Sequence, residues 1–211
     1  VDSAPHRLEF AGGRSLPYDK LLLATGSTPR SLSVPGSKLG NVFTLRTRED
    51  ADAIVAACAS VRRVLVVGAS FISIETAHSL SSRGLNVTVA APESLPFESK
   101  LGPELGSLVQ ETHNKAGITF QLGRKVKRFN GNGTVETAVL DNGASISADV
   151  VIAGIGVDPV TPVLEGISRE SDGSIRVNAH FEAARDVESN SALVLIGDGD
   201  SGLPRGDMPW R

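Results

Sequence analysis

The residues of this chain whose types and spacing could do chemistry begin with Gly68-Ala69-Ser70-Phe71-Ile72-Ser73, with Glu75 two positions beyond. They follow a continuous β-branched run, Arg63-Val-Leu-Val-Val, and lead into a segment of helical period. A strand, a glycine turn and a helix N-terminus in that order present free backbone amides and a positive partial charge, which suit a phosphate group. A dinucleotide fingerprint asks for glycine at three places: for the tight turn, for close approach of the pyrophosphate, and for close packing of helix on strand. Only the first is glycine here. Ser70 and Ser73 each add a Cβ and a hydroxyl where contact should be tight, an overpacking expected to cost about 1–3 kcal/mol per site. The motif alone is therefore read two ways, as a weakened dinucleotide site or as a structural strand-turn-helix. Gly68-x-Ser70 also begins a nucleophile elbow, but Ile72 stands where that pattern closes on glycine, and no histidine and acid are placed to complete a triad. A hydrolase is argued against on that ground.

The end of the next strand decides which dinucleotide fits. An acid there accepts from the adenosine ribose, and an arginine meets a 2′-phosphate. Val87-Thr-Val-Ala-Ala91 ends in alanine, Glu93 could substitute if the loop bends back, and no arginine lies between Gly84 and Lys100. NADH is therefore slightly favoured over NADPH. Asp198 follows five apolar residues at the carboxyl end of a strand, where open α/β sheets bind ligands. Asp149 is read as merely starting its strand, and His78 as a packing or surface residue. Cys58 is read as a core thiol on the same helix face as Ala51, Ile54 and Val55.

These residues need elements to hold them. Residues 18 to 26 read as a short buried strand stopped by Gly26, and residues 47 to 60 as a helix with Glu49 and Asp50 in its first turn. Arg63–Gly68, a helix from about Ser70 to Arg83 closed by Gly84, and Asn86–Ala90 make one βαβ unit. Pro103 suits the first turn of a further helix ending before Gly117, and Ile118–Leu122 is a third strand. The period then changes to two, with turns at Asn130–Gly133 and Asp141–Gly143, which predicts a three-stranded antiparallel meander. Asp149–Ala153 returns to the apolar pattern of a central strand, and Ala192–Ile196 is another. The fold class is α/β: a Rossmann-like parallel sheet with helices plus that meander.

Composition bounds the rest. With 211 residues, 40% hydrophobic and 21% charged, and no apolar run near the ~20 residues a bilayer span requires, the chain reads as globular, neither disordered nor membrane-spanning. The net charge of −3 and the absence of a basic, aromatic-interleaved stripe argue against a nucleic-acid partner. One cysteine and four dispersed histidines give no disulfide, no redox pair and no metal site.

Gly68-x-Ser-Phe-Ile-x-Ile-Glu75, Gly154-Ile-Gly-Val-Asp-Pro-Val-Thr161 and Ala24-Thr-Gly-Ser-Thr-Pro-Arg30 together resemble the pyridine nucleotide-disulfide oxidoreductase superfamily, on its branch of apoptosis-inducing factor 3-like flavoproteins and ferredoxin reductases. The resemblance runs from about Leu16 to Asp198. It implies an enzyme in which NAD(P)H passes hydride to FAD, with electrons going on to an acceptor, for which an electron-acceptor protein is one candidate. It implies an FAD domain split around an inserted NAD(P) domain: 1–37 the end of the first FAD segment, 38–160 the NAD(P)-binding domain, 161–211 the start of the second FAD segment. Gly68, Ser70, Phe71, Ile72, Ala91, Glu93, Gly154, Ile155 and Gly156 then fall to NAD(P), with Glu75 facing the nicotinamide in a catalytic place. Ala24, Thr25, Gly26, Arg30, Gly197 and Asp198 fall to FAD. Serine at position 73 departs from the family pattern. The absence of a Cys-x-x-Cys between 38 and 160 excludes the thioredoxin-reductase branch. Because the chain opens on Val1 and an FAD glycine turn and a C-terminal interface domain are wanting, it is expected to be a fragment. Its compartment is left open between cytoplasm and mitochondrion. The alternative is a noncatalytic nucleotide-binding or interaction module with a degraded site.

Overall fold

The structure, a computed structural model, describes residues 7–162, 167–178 and 181–183, and the backbone of 193–195. Chain contacts divide it into two units, one of Val1–Thr28 with Val157–Arg211 and one of Pro29–Gly156.

The first unit opens with β1 (Arg7–Glu9) and β2 (Ser15–Pro17), an antiparallel hairpin, followed by β3 (Leu21–Leu23) and β4 (Ser27–Pro29). The continuous buried strand expected over 18–26 is shorter. β3 stops at Leu23, its only buried residue, Leu22 is 51% exposed, and the chain turns through Gly26 at φ 70°. The side chains of Leu21 and Leu23 lie on the better covered face of β3 and that of Leu22 on the exposed one.

The second unit runs β5 (Val42–Thr44), α1 (Arg48–Cys58), β6 (Arg63–Val67), α2 (Phe71–Ser82), β7 (Asn86–Ala91), α3 (Glu98–Lys115), β8 (Thr119–Leu122), β9 (Val126–Asn130), β10 (Thr137–Leu140), β11 (Ser145–Ser147) and β12 (Val150–Ala153). Five strands form a parallel sheet in the order β5-β12-β6-β7-β8, and β9, β10 and β11 form the antiparallel meander. Both faces of the parallel sheet are covered, which is why β6 reads as an unbroken apolar run. Val64 and Val66 pack with Ile74, Ala77 and Leu80 of α2, whereas Leu65 and Val67 pack with Phe129, Ala138 and Leu140 of the meander.

Two helices differ in detail from the sequence expectation. In α1 only Ile54 and Cys58 are buried, and Val55, expected on the packed face, is 42% exposed. It lies about 100° around the helix from Ile54, beyond the stripe that meets the sheet. α3 begins one turn before Pro103, but Gly102 at φ 80° and ψ 171° breaks it, so Pro103 does open a helical run.

The remaining elements return to the first unit: β13 (Val157–Pro159) pairs with β4, and β14 (Glu182–Ala183), β15 (Leu193–Leu195) and β3 make a small sheet in which β15 and β3 are parallel.

Candidate functional site

In the Pro29–Gly156 unit, Ala153, Val67 and Ala90 stand abreast at the carboxyl edge of the parallel sheet. From β6 the chain winds outward through β7 and β8 on one side, while β12 and β5 lie on the other. The crevice between the ends of β6 and β12 is thus the point where the winding direction reverses, the place such sheets bind ligands. Gly68 and Gly154 are the residues that meet there.

Gly68 is glycine for two reasons. Its φ is 109°, and a Cβ would lie 2.4 Å from the carbonyl oxygen of Gly154. The helix that follows has Ser70 as N-cap, but the hydroxyl makes no cap bond and the first turn holds no acid. Instead, Ser70 Oγ donates to the Gly154 carbonyl oxygen at 3.1 Å, Ser73 Oγ donates to the same oxygen at 3.0 Å, and the two hydroxyls are 3.1 Å apart. The amino end of α2 therefore keeps its uncancelled partial charge.

This corrects the overpacking read from the sequence. Ser73 is 1% exposed, yet its hydroxyl is hydrogen-bonded, because the residue that follows β12, Gly154, has no side chain. A Cβ on Gly154 would sit 2.1 Å from Ser73 Oγ. The space demanded of position 73 is supplied at position 154, far along the chain, where sequence spacing gives no sign of it.

Past Ser70, α2 buries Ser73, Ile74, Ala77 and Leu80 and exposes Phe71, Ile72, Glu75 and His78 on the opposite side. Phe71 stacks on Phe97 with ring centroids 4.3 Å apart. His78 meets His113 edge-on at 5.6 Å. Glu75 stands on the exposed face of α2, one turn after the crevice. Ile155 and Gly156 continue from Gly154, Gly156 at φ 101°, and the Gly156 carbonyl accepts from the Arg30 amide at 3.0 Å. Arg30, associated with FAD in the sequence reading, thus belongs to the same unit as Gly156.

The end of β7 is less simple than its sequence. Ala91 is fully buried, so its side chain meets no solvent. Glu93 is exposed, and its carbonyl accepts from the Gly123 amide at 2.8 Å, while the Ala91 carbonyl accepts from the Arg124 amide at 3.0 Å. The premise that no arginine stands near this end holds along the chain and fails in space: the turn after β8 brings one from another strand.

In the other unit, Thr25 Oγ1 donates to the Val160 carbonyl, and the Val160 amide donates to the Gly26 carbonyl at 2.9 Å; Ala24 and Thr25 are exposed. Gly197 and Asp198 lie outside the described residues.

The amino edge of the parallel sheet carries an ion pair that sequence reading missed. Asp149, expected only to start its strand, accepts from Arg63 Nε at 3.1 Å and from the Arg62 and Arg63 amides at 3.3 and 3.0 Å. The Arg63 guanidinium holds its carboxyl down at about 2. Burial pushes the Cys58 thiol up, opposed by the charge of Arg83. Among the described residues, no group of His, Cys, Asp and Glu could hold a metal ion, and no helix is long and apolar enough to cross a membrane.

Tested against a dinucleotide, the Pro29–Gly156 unit fits: a turn that admits only glycine and a helix N-terminus with no side-chain cap and no first-turn acid stand at the crevice, and a second glycine, Gly154, packs too closely on them to carry a side chain. Comparison with known proteins agrees. The family model of the pyridine nucleotide-disulphide oxidoreductases matches residues 1–198, and the chain belongs to that family. It is similar to human apoptosis-inducing factor 3, with 38% identity over 84% of this chain and 30% of that protein. It is similar also to putidaredoxin reductase of Pseudomonas putida, with 31% identity over 90% of this chain and 45% of that one. Among solved structures, a ferredoxin reductase of Rhodopseudomonas palustris superposes with a TM-score of 0.80 at 26% identity, over 93% of this chain and 49% of that one. The chain spans less than half the length of each of these relatives.

Proposed function

We propose that this chain is the nucleotide-handling part of an FAD-dependent NAD(P)H oxidoreductase that takes hydride from NAD(P)H and passes electrons to an acceptor. The observation that carries the reading is the uncapped α2 N-terminus behind Gly68, facing Gly154 across the sheet crevice. Support comes from family membership and from relatives named as reductases of electron-transfer proteins.

On this reading the Pro29–Gly156 unit takes NAD(P), and Val1–Thr28 with Val157–Arg211 belongs to the FAD part. The amides at the start of α2 hold the pyrophosphate, with Ser70, Phe71 and Ile72 around it. Gly154, Ile155 and Gly156 line the nicotinamide side, where Glu75 orients the ring from the exposed face of α2. Ala24, Thr25 and Gly26 border the flavin, together with Gly197 and Asp198. FAD, when bound, supplies the step from a two-electron donor to a one-electron acceptor. The acceptor class suggested by the reductase relatives is a small ferredoxin-like protein.

Calorimetric titration of the chain with NADH and with NADPH tests this. Saturable binding that Gly68→Ala abolishes is the expected result. Flat titrations with both would overturn it in favour of a noncatalytic interaction module.

A further inference from the structure

We infer that Arg124 reads the 2′-phosphate of the cofactor, so that this chain prefers NADPH to NADH. The inference rests on the reading of the Pro29–Gly156 unit as the NAD(P) site. It comes from a feature that sequence order conceals.

In a βαβ nucleotide site, the end of the second strand meets the adenosine ribose; an acid there accepts from the 2′-hydroxyl and repels a phosphate. Here that strand is β7, and its last residue is a neutral, fully buried alanine. The position therefore offers a 2′-hydroxyl no acceptor and a 2′-phosphate no repulsion. Two backbone hydrogen bonds then fix what stands beside it. The Arg124 amide donates to the Ala91 carbonyl at 3.0 Å, and the Gly123 amide donates to the Glu93 carbonyl at 2.8 Å. These clamp the turn after β8 onto the end of β7, in continuation of the parallel pairing Ala91↔Leu122.

Arg124 is thereby the arginine that follows directly on the strand pairing, at the same sheet edge as Gly68 and Ala91. Its side chain is exposed, and among the described residues no carboxylate forms an ion pair with it. A guanidinium that is not neutralised within the protein offers a phosphate a planar fork of donors at full charge. Two further charges share the turn: Lys125, exposed and next in sequence, and Glu93, exposed on the opposing segment. Glu93 works against the phosphate, so the preference is set by Arg124 against Glu93, with Ala91 silent between them.

The test is the ratio of NADPH to NADH affinity, measured by titration of the whole 211-residue chain, with 2′,5′-ADP and 5′-AMP as probes that differ by the phosphate alone. The parent is expected to favour the 2′-phosphorylated member of each pair by about tenfold, the scale of one charge-assisted hydrogen bond. Arg124→Gln should bring the ratio close to one by weakening NADPH while NADH stays within about twofold. Arg124→Lys should keep part of the preference, and Glu93→Gln should increase it. Lys125→Gln should leave the ratio within about twofold, which separates a specific contact from general positive charge. An Arg124→Gln ratio equal to that of the parent would overturn the inference while leaving dinucleotide binding intact. Parent chain that binds none of the four probes would overturn the nucleotide reading and this inference with it.

Discussion

Two helix N-termini in the Pro29–Gly156 unit are built to opposite ends. At α1, Thr47 and Asp50 form a capping box: Thr47 Oγ1 accepts from the Asp50 amide at 3.3 Å, and Asp50 Oδ2 accepts from the Thr47 and Arg46 amides, each at 2.9 Å. Glu49 and Asp50 also place two acids in that first turn. Those amides, that of Thr47 first, hold the Asp50 carboxyl below its ordinary range. At α2 the N-cap serine turns away to Gly154, and there is no acid in the first turn. One end has cancelled its own dipole, and the other has kept it for something else. Capping is worth about 1 kcal/mol to a helix, so a chain that caps one helix and leaves its neighbour open forgoes stability at the open one. That difference marks the site more sharply than the glycine pattern does.

The strongest way to break the contrast is to close the crevice. Gly68→Ala should place its Cβ against the Gly154 carbonyl at a φ unsuited to alanine, costing about 3 kcal/mol by denaturant titration and removing dinucleotide binding. Ser73→Gly comes next. If the serine crowded the helix, as its sequence position suggests, glycine would tighten binding by about 10- to 100-fold. The structure predicts no such gain, and a loss of about 1–2 kcal/mol in stability, because a bonded buried hydroxyl disappears and a flexible residue enters the first turn. Chemical denaturation and calorimetry of the same variant read both quantities.

Exchanging the character of the two termini sharpens the comparison. Thr47→Ala should cost about 1 kcal/mol of stability and leave dinucleotide affinity unchanged. Ile72→Glu gives α2 an acid in its first turn, at a residue 42% exposed. It should shift stability by no more than about 0.5 kcal/mol and weaken dinucleotide binding several-fold, less so at high salt. Equal affinity losses in both variants would show that the open terminus has no special part in binding.

The smallest effect belongs to the opposite edge of the sheet. The Asp149 carboxyl titrates at about 2 in the folded chain, below its ordinary 3.8. Its contribution to stability is therefore complete above about pH 4 and is lost as pH falls from there through 2. With Arg63 half exposed, solvent screening keeps that contribution small. Asp149→Asn should flatten that part of the acid denaturation curve without altering dinucleotide affinity at pH 7.

Sequence patterns reached the elements that are locally determined. The β6–α2–β7 segment declared itself because Val64 to Val67 are buried on both faces and so cannot alternate. The meander was visible from its Asn-Gly and Asp-Asn-Gly turns, which fix a hairpin within a few residues. β5 and the β1–β2 hairpin escaped: every one of these strands is only three residues long, too short to show a period, and β5 in addition pairs with the distant β12. At the site, Gly68 could be read from its neighbours, since a positive φ after a strand is a local demand. The room for Ser73 and the arrival of Arg124 beside Ala91 could not, because each depends on which strand ends come together at one sheet edge.

The parallel pairing of β15 with β3 bears on how the chain is made. Leu193 to Leu195 lie against Leu21 to Leu23, so β3 leaves the ribosome long before its partner is synthesised. The five-stranded sheet and the meander find all their strand partners between Val42 and Ala153. Domains tend to fold as they emerge, and distant pairings close slowly. During translation the intervening unit can thus be complete while the leucines of β3 still wait, an interval in which an apolar strand edge is open to chaperones or to mispairing.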